Sequence, residues 1–262
     1  MSPADPPAGA ASGAASSGDG PATGVVERAA AAAQVLVDDP ADPVVGADDR
    51  HHLARVLRLR AGEPVVATDG RGHWSLCRYR GDGAGRELGA VLEPDGPVTF
   101  EPAPCPELTV AFAPAKGDRP EWVVQKLTEL GIDRIVPLAA ARSVVRWDGD
   151  RAIRAIDRLR RVAREAVGQC RRVWLPEVTD VRTVAGVVGD GAVLAELAGG
   201  PPAAAVTTVA VGPEGGWSPD ELAVAGGTVG LGPYVLRAET AALVAGAILA
   251  GRRASTVVGE GR

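Results

Sequence analysis

Two glycine-marked segments in the last quarter of the 262-residue chain have the composition of a ligand site. The first is Val211-Gly212-Pro213-Glu214-Gly215-Gly216. The second is Leu231-Gly232-Pro233-Tyr234-Val235-Leu236-Arg237-Ala238-Glu239-Thr240-Ala241. Each follows a short β-branched run and leads towards a helix. Glycine lets a backbone approach a bound molecule closely, so two such strand-to-loop switches can wall one small-molecule site. The first segment lacks the Gly-Lys-Ser/Thr ending of a Walker loop, and it is not the dinucleotide GxGxxG fingerprint either. The usual phosphate readings therefore fall away.

Other chemistries find little support. The three histidines, His51, His52 and His73, all fall in the first third, and the adjacent pair cannot share one helix face. Cys77, Cys105 and Cys170 are far apart with no CxxC pair, which predicts reduced thiols rather than a zinc site or a disulfide framework. With no metal ligands expected and no His-based dyad, hydrolysis is poorly supported. Group transfer from a bound cofactor needs mainly positioning.

Charge is the second chemical signal. Between Arg151 and Arg172 eight arginines stand against Asp157 and Glu165, a local balance of +6 in a chain of net charge −5. Arginine suits phosphate forks and base stacking. A solvated helix face is the competing reading. Arg55, Arg58, Arg60 and Arg71 form a second basic cluster, and two patches favour a bound RNA or DNA strand. The net charge argues against a protein that grips nucleic acid with its whole surface.

The elements that position these residues read as follows. Residues 1–24 are Ala, Gly, Ser and Pro with few charges, a disordered tail rather than a secretory signal. Residues 25–101 hold short strand patterns: 33–37, 63–68 ending at Asp69-Gly70, 74–79, and 87–92 after the hairpin-like Gly81-Asp82-Gly83-Ala84-Gly85. One helix at 48–59 interrupts them. This predicts a small β-barrel or sandwich. Five prolines between Pro94 and Pro106 mark a linker. Residues 102–262 then alternate. Strands are expected at 108–112, 132–139, 173–178, 192–197 and 207–211. A helix follows Asp118-Arg119-Pro120-Glu121, with Asp118 as its N-cap, and a long helix spans 150–169. Such alternation predicts an α/β domain with a mainly parallel sheet. The hydrophobic fraction of 46% supports a core, and the aromatic fraction of 3% means that Val, Leu, Ile and Ala must build it. No stretch reaches the ~18 apolar residues of a membrane span, and a cytoplasmic protein is expected.

An ordered set of motifs carries a resemblance. It runs Lys116-Gly117-Asp118, Gln125-Lys126-Leu127-Thr128-Glu129-Leu130-Gly131, Arg142, Glu165 to Cys170, and then the two glycine segments. Over about residues 25–255 the chain resembles the ribosomal RNA small-subunit methyltransferase E family of the SPOUT superfamily. The resemblance implies an N-terminal PUA-like β-barrel that binds RNA and a C-terminal SPOUT α/β domain with a trefoil knot. It also implies S-adenosylmethionine in the knot crevice, a homodimer, and N3-methylation of a uridine in 16S rRNA within the assembled small subunit. Neither a metal nor a membrane is implied.

By position, Val211, Gly212, Pro213, Glu214, Gly215 and Gly216 would hold the cofactor. So would Leu231, Gly232, Val235, Leu236, Arg237 and Thr240, with Leu194, Ala195 and Glu196 as a third wall. Arg237, Glu239 and Arg172 would be catalytic, Arg237 or Arg172 as donors to the uracil anion and Glu239 or Glu214 as proton acceptor. Arg55, Arg58, Lys116, Arg142, Gln169 and Arg172 would face RNA. The chain departs from the family's usual residues at Tyr234 (often Arg), Gly168-Gln169 (often Glu-Gln) and Arg171 (often Gly). Methylation of another RNA position or of a ribose 2′-oxygen stays open as an alternative. So does a non-catalytic RNA-binding assembly module.

Overall fold

The computed structural model describes residues 21–81 and 91–260. The hairpin loop expected at 81–85 and the strand at 87–92 fall largely outside them. Of the expected tail, residues 1–20 also lie outside, whereas 21–24 open a helix, α1 (Pro21–Ala30).

The front of the molecule is a five-stranded sheet in the order β1 (Ala33–Leu36), β2 (Pro64–Thr68), β3 (His73–Tyr79), β4 (Leu92–Pro94), with β5 (Thr99–Phe100) also paired to β3. β1 runs parallel to β2, and the remaining pairs are antiparallel. Val35, Leu53, Val65, Tyr79 and Leu92 form its core. The helix expected at 48–59 is shorter and two-part: α2 (Ala47–His51) and a π-helical turn at His52–Val56. The proline-rich 94–106 segment is no free linker, since it supplies β5 and the Glu101 carboxylate that pairs with Arg28.

The rear domain is a parallel sheet. Its strands lie in the order β12 (Thr228–Val229), β10 (Val193–Gly200), β11 (Thr208–Val211), β6 (Thr109–Phe112), β7 (Arg134–Ala139), β8 (Glu177–Val178), with β9 (Arg182–Thr183) extending β7. Val110, Ala111, Val209 and Ala210 are almost fully buried, as strands covered on both faces require. α3 (Arg119–Glu129) and α4 (Gly149–Cys170) pack against each other. Ile156, Leu159, Ala163 and Ala166 place one stripe of α4 in the core and leave its arginines outside. Asp118 occupies the N-cap of α3 but its side chain makes no cap hydrogen bond; Pro120 and Glu121 in the first turn start the helix instead.

Sequence reading missed two short helices, α5 (Val184–Gly189) and α6 (Pro219–Val224). After β12 at the sheet edge the chain returns through residues 230–237 to α7 (Ala238–Glu260), which packs on α3, β6 and β11 at mid-sheet. Gly246 of α7 touches α3 so closely that an added Cβ would lie 2.7 Å from Leu127.

The expected strand at 173–178 shrinks to β8 because the preceding residues bond to the front domain. Gly72 donates to the Val173 carbonyl, Leu175 to that of Gly70, and the Trp174 indole to that of Glu101, each at 2.9 Å. Gln34 adds bonds to the carbonyls of Val167 (3.0 Å) and Arg172 (2.6 Å). The C-terminal end of α4 is thus the junction of the two halves.

Candidate functional site

Three strand ends of the rear sheet meet at one crevice of about 200 Å³. The end of β10 gives Ala195, Glu196 and Leu197. The segment after β11 gives Val211, Gly212, Pro213, Glu214 and Gly216. The segment after β12 gives Leu231, Gly232, Val235 and Leu236, and the start of α7 adds Ala238 and Ala241. The two glycine segments therefore do share one site.

Several residues hold the first loop in shape. Trp217 lines the crevice, and its indole N–H donates to the Ala195 carbonyl at 2.9 Å, tying the loop to β10. Gly212 lets the loop pass close to that indole, since a Cβ would sit 3.0 Å from the Trp217 ring. Gly216 takes a left-handed φ of 68°. Ser218 and Glu221 then form a capping box at the start of α6, and Glu221 Oε1 also accepts from the Ala141 backbone N–H at 2.7 Å. Arg142 donates to the Gly215 carbonyl at 3.2 Å.

The charged groups of the rim are organised by Arg119, which sequence reading did not single out. Its guanidinium lies 3.7 Å from Glu214 Oε1 and 3.6 Å from Glu239 Oε1. Glu239 Oε2 is buried without a hydrogen-bond partner among the described residues. Arg237 is exposed, and no side-chain partner is recorded for it. The mouth is apolar and open: Tyr234 is 79% exposed and Val235 83%.

Some expected site residues lie elsewhere. Leu194 is fully buried in the core, and the wall begins one residue later at Ala195. Gly215, Arg237 and Thr240 adjoin the crevice without lining it. Arg172 is a correction. Its guanidinium donates to the carbonyls of Thr128 (3.0 Å) and Ile132 (2.7 Å) and pairs with Asp133 at 3.1 Å. Burial lowers its pKa, a shift that Asp133 opposes. It is a structural clamp: three of its N–H groups are committed to Thr128, Ile132 and Asp133, and the side chain is largely buried. Lys116, Arg142, Gln169, Arg55 and Arg58 are exposed; Lys116 opens onto a separate cavity between α3 and α4.

Burial pushes the thiols of Cys77 and Cys170 up, away from the thiolate form of a nucleophile. Among the described residues no three His, Cys, Asp or Glu side chains gather as a metal site would need, and no helix is long and apolar enough to cross a membrane. The crevice can therefore bind and orient a small molecule beside a cation and a carboxylate.

Residues 101–250 match the model of an RNA methyltransferase domain, and residues 45–86 match that of an RNA methyltransferase PUA domain. Ribosomal RNA small subunit methyltransferase E of Mycobacterium bovis is 37% identical over 232 residues, spanning 80% of this chain and 86% of its own. The chain belongs to the ribosomal RNA small subunit methyltransferase E family. The Bacillus subtilis member is 28% identical across 81% of this chain and 90% of its own. The fold recurs in a probable rRNA-methyltransferase from Porphyromonas gingivalis (TM-score 0.70, 27% identity, 86% of this chain, 99% of that one). It also recurs in a family enzyme from Neisseria gonorrhoeae whose crystal structure is bound to S-adenosyl methionine (TM-score 0.66, 23% identity, 83% and 96%). The front sheet is accordingly a PUA-like domain and the rear one an α/β methyltransferase domain of the SPOUT class.

Proposed function

We propose that this chain transfers the methyl group of S-adenosylmethionine to N3 of one uridine in 16S ribosomal RNA. The observation that carries this reading is the convergence of both glycine segments and the β10 end on one crevice, in a chain of this family. The crevice fits such a cofactor. Its floor is apolar, its two glycine-marked loops let backbone approach a flat ring, and Glu196 and Glu214 stand ready to offset a positive charge. When bound, the cofactor supplies an electrophilic methyl group.

The chain's own residues would do the rest. Uridine N3 lies on the Watson–Crick edge, so the base must be unpaired or flipped to react. N3 bears a proton and is a poor nucleophile until it leaves. Arg237, exposed and uncommitted beside the crevice, would donate to the uracil oxygens as negative charge develops. Glu239, at the start of α7 beside the crevice, would take the proton, Arg119 orienting it through Oε1.

The remaining parts of the reading have separate supports. Residues 25–101 would bind RNA and 102–262 would carry out transfer, the exposed Arg55 and Arg58 contributing from the front domain. A trefoil knot is supported by the return of the chain from edge strand β12 to mid-sheet. A homodimer is supported by the apolar, open rim of Leu197, Tyr234 and Val235, which a second protomer would cover. An assembled small subunit as substrate and a cytoplasmic location accompany that RNA chemistry. The decisive measurement is nucleoside mass spectrometry of 16S rRNA from a strain lacking the protein. Loss of 3-methyluridine, restored by re-expression, is expected; its persistence sinks the proposal.

A further inference from the structure

The first turn of α3 borders two cavities. Arg119 reaches Glu214 and Glu239 at the glycine crevice, while Pro120 lines a second cavity of about 620 Å³. The loop before α4 has the same double aspect. Ala141 and Arg142 bond to Glu221 and Gly215, and Val145 and Trp147 line the second cavity. The two cavities are therefore neighbours joined by two shared segments.

The outer wall of the second cavity is cationic. Lys116, Arg151, Arg154, Arg158 and Arg161 line it. The four arginines recur at helical spacing on one face of α4, spanning about 15 Å at the helical rise, long enough for more than one phosphate. Arg158 is held by Glu121 at 2.6 Å, and Asp157 is engaged by Arg160 at 3.6 Å. Among the described residues no carboxylate pairs with Lys116, Arg151, Arg154 or Arg161. This contrasts with Arg28, Arg134, Arg182 and Arg253, each of which has an acidic partner. Four uncompensated cations around one concavity focus a field that attracts a polyanion. Trp147 gives the cavity an aromatic surface on which a base can stack.

We propose that this cavity holds the phosphodiester backbone of the RNA whose target base enters the glycine crevice of the same protomer. The proposal rests on the RNA methyltransferase reading. A strand seated along α4 passes the first turn of α3, whose Arg119 contacts Glu214 and Glu239 at the glycine crevice, so the backbone contacts fix register for the flipped base.

The test is the triple variant Arg151→Gln/Arg154→Gln/Arg161→Gln. Its binding to unmethylated small ribosomal subunits is measured across a salt series, and its S-adenosylmethionine affinity by calorimetry. Glutamine keeps the helix propensity, so the fold persists. The slope of log affinity against log salt should fall by about 2, and affinity near 0.15 M salt by roughly 50-fold, as three lost phosphate contacts require. Cofactor affinity should not move. Arg182→Gln, which removes a paired cation outside the cavity, should leave the slope unchanged. An unchanged slope and affinity in the triple variant overturns this proposal and leaves methyl transfer standing. Absence of cofactor affinity in the unaltered chain sinks the functional reading instead, while the salt slope still reports on the cavity.

Discussion

The two ends of α4 use the same residue type for opposite purposes. From its first turn to just past its middle Arg151, Arg154 and Arg161 are exposed, lack acidic partners among the described residues and line a cavity. Just past its C-terminus Arg171 and Arg172 are drawn inward. Arg171 donates to the carbonyls of Gly168, Ala31 and Ala32, and Arg172 to those of Thr128 and Ile132 and to Asp133. A count of arginines along the helix gives one basic stripe. The partners divide it into a binding stretch and an inward pair, Arg171 tying α4 to Ala31 and Ala32 of the PUA-like domain and Arg172 clamping Thr128, Ile132 and Asp133 within the methyltransferase domain.

The largest effect expected from this contrast is on the Arg172 clamp. Arg172→Ala leaves the Ile132 carbonyl without its side-chain donor, takes one of two donors from the Thr128 carbonyl, and deprives Asp133 of one of its two cations, Arg253 being the other. Because Asp133 keeps Arg253, the loss stays at the low end of what breaking a buried pair costs, about 3 kcal/mol. Chemical denaturation should show that loss, while the fraction still folded binds S-adenosylmethionine with unchanged affinity. A variant of normal stability that fails only in RNA binding would return Arg172 to the binding stretch.

Arg119 falls between the two classes, because it is paired, yet with carboxylates of the crevice. Glu239→Gln removes the proposed proton acceptor and should slow single-turnover methylation by at least ~100-fold. Arg119→Gln leaves the carboxylate but not its orientation, so a smaller loss of roughly tenfold is expected. Equal rates for Glu239→Gln and the unaltered chain would end its role in proton transfer.

Much of this arrangement was legible in advance, and the gaps have physical causes. The glycine segments were readable because close approach and positive φ, as at Gly216, leave a compositional mark. The core stripe of α4 was readable because 3.6-residue periodicity over 22 residues is unambiguous. Leu194 was misplaced because adjacent strand residues point to opposite faces, and a strand end does not reveal which face the ligand takes. Arg172 was misread because its partners Thr128, Ile132 and Asp133 are some 40 residues away in sequence. Arg119 was overlooked since a first-turn arginine next to Pro120 reads as part of a helix start. α6, at six residues, is too short for periodicity, but Ser218-Pro219-Asp220-Glu221 carried a capping box that could have located it.

Arg171 sharpens the comparison at smaller scale. It sits at the C-cap of α4 with φ 63° and ψ 26°, the left-handed region where glycine is favoured. In this chain the three carbonyl contacts offset the cost of a side chain there. Arg171→Ala keeps the strained conformation and loses the contacts; Arg171→Gly loses the contacts and the strain. The Ala variant should therefore be less stable than the Gly variant by about 1 kcal/mol, a few degrees in Tm. Equal stability of the two would mean that the backbone relaxes out of the left-handed region once the guanidinium is gone.

The smallest effect is expected in the binding stretch of the helix, and its smallness is informative. Arg154 has no acidic partner among the described residues and stands one turn from both Arg151 and Arg158 on the same face. Like charges at that spacing repel by a few tenths of a kcal/mol. Arg154→Gln should therefore change stability by less than ~0.5 kcal/mol, towards the more stable side at low salt. The difference should vanish as salt screens the repulsion. A residue kept for the fold behaves in the opposite way, as Arg172 does. If Arg154→Gln instead lost more than ~1 kcal/mol, the helix would have no binding stretch, and the cavity beside it would be an accident of packing.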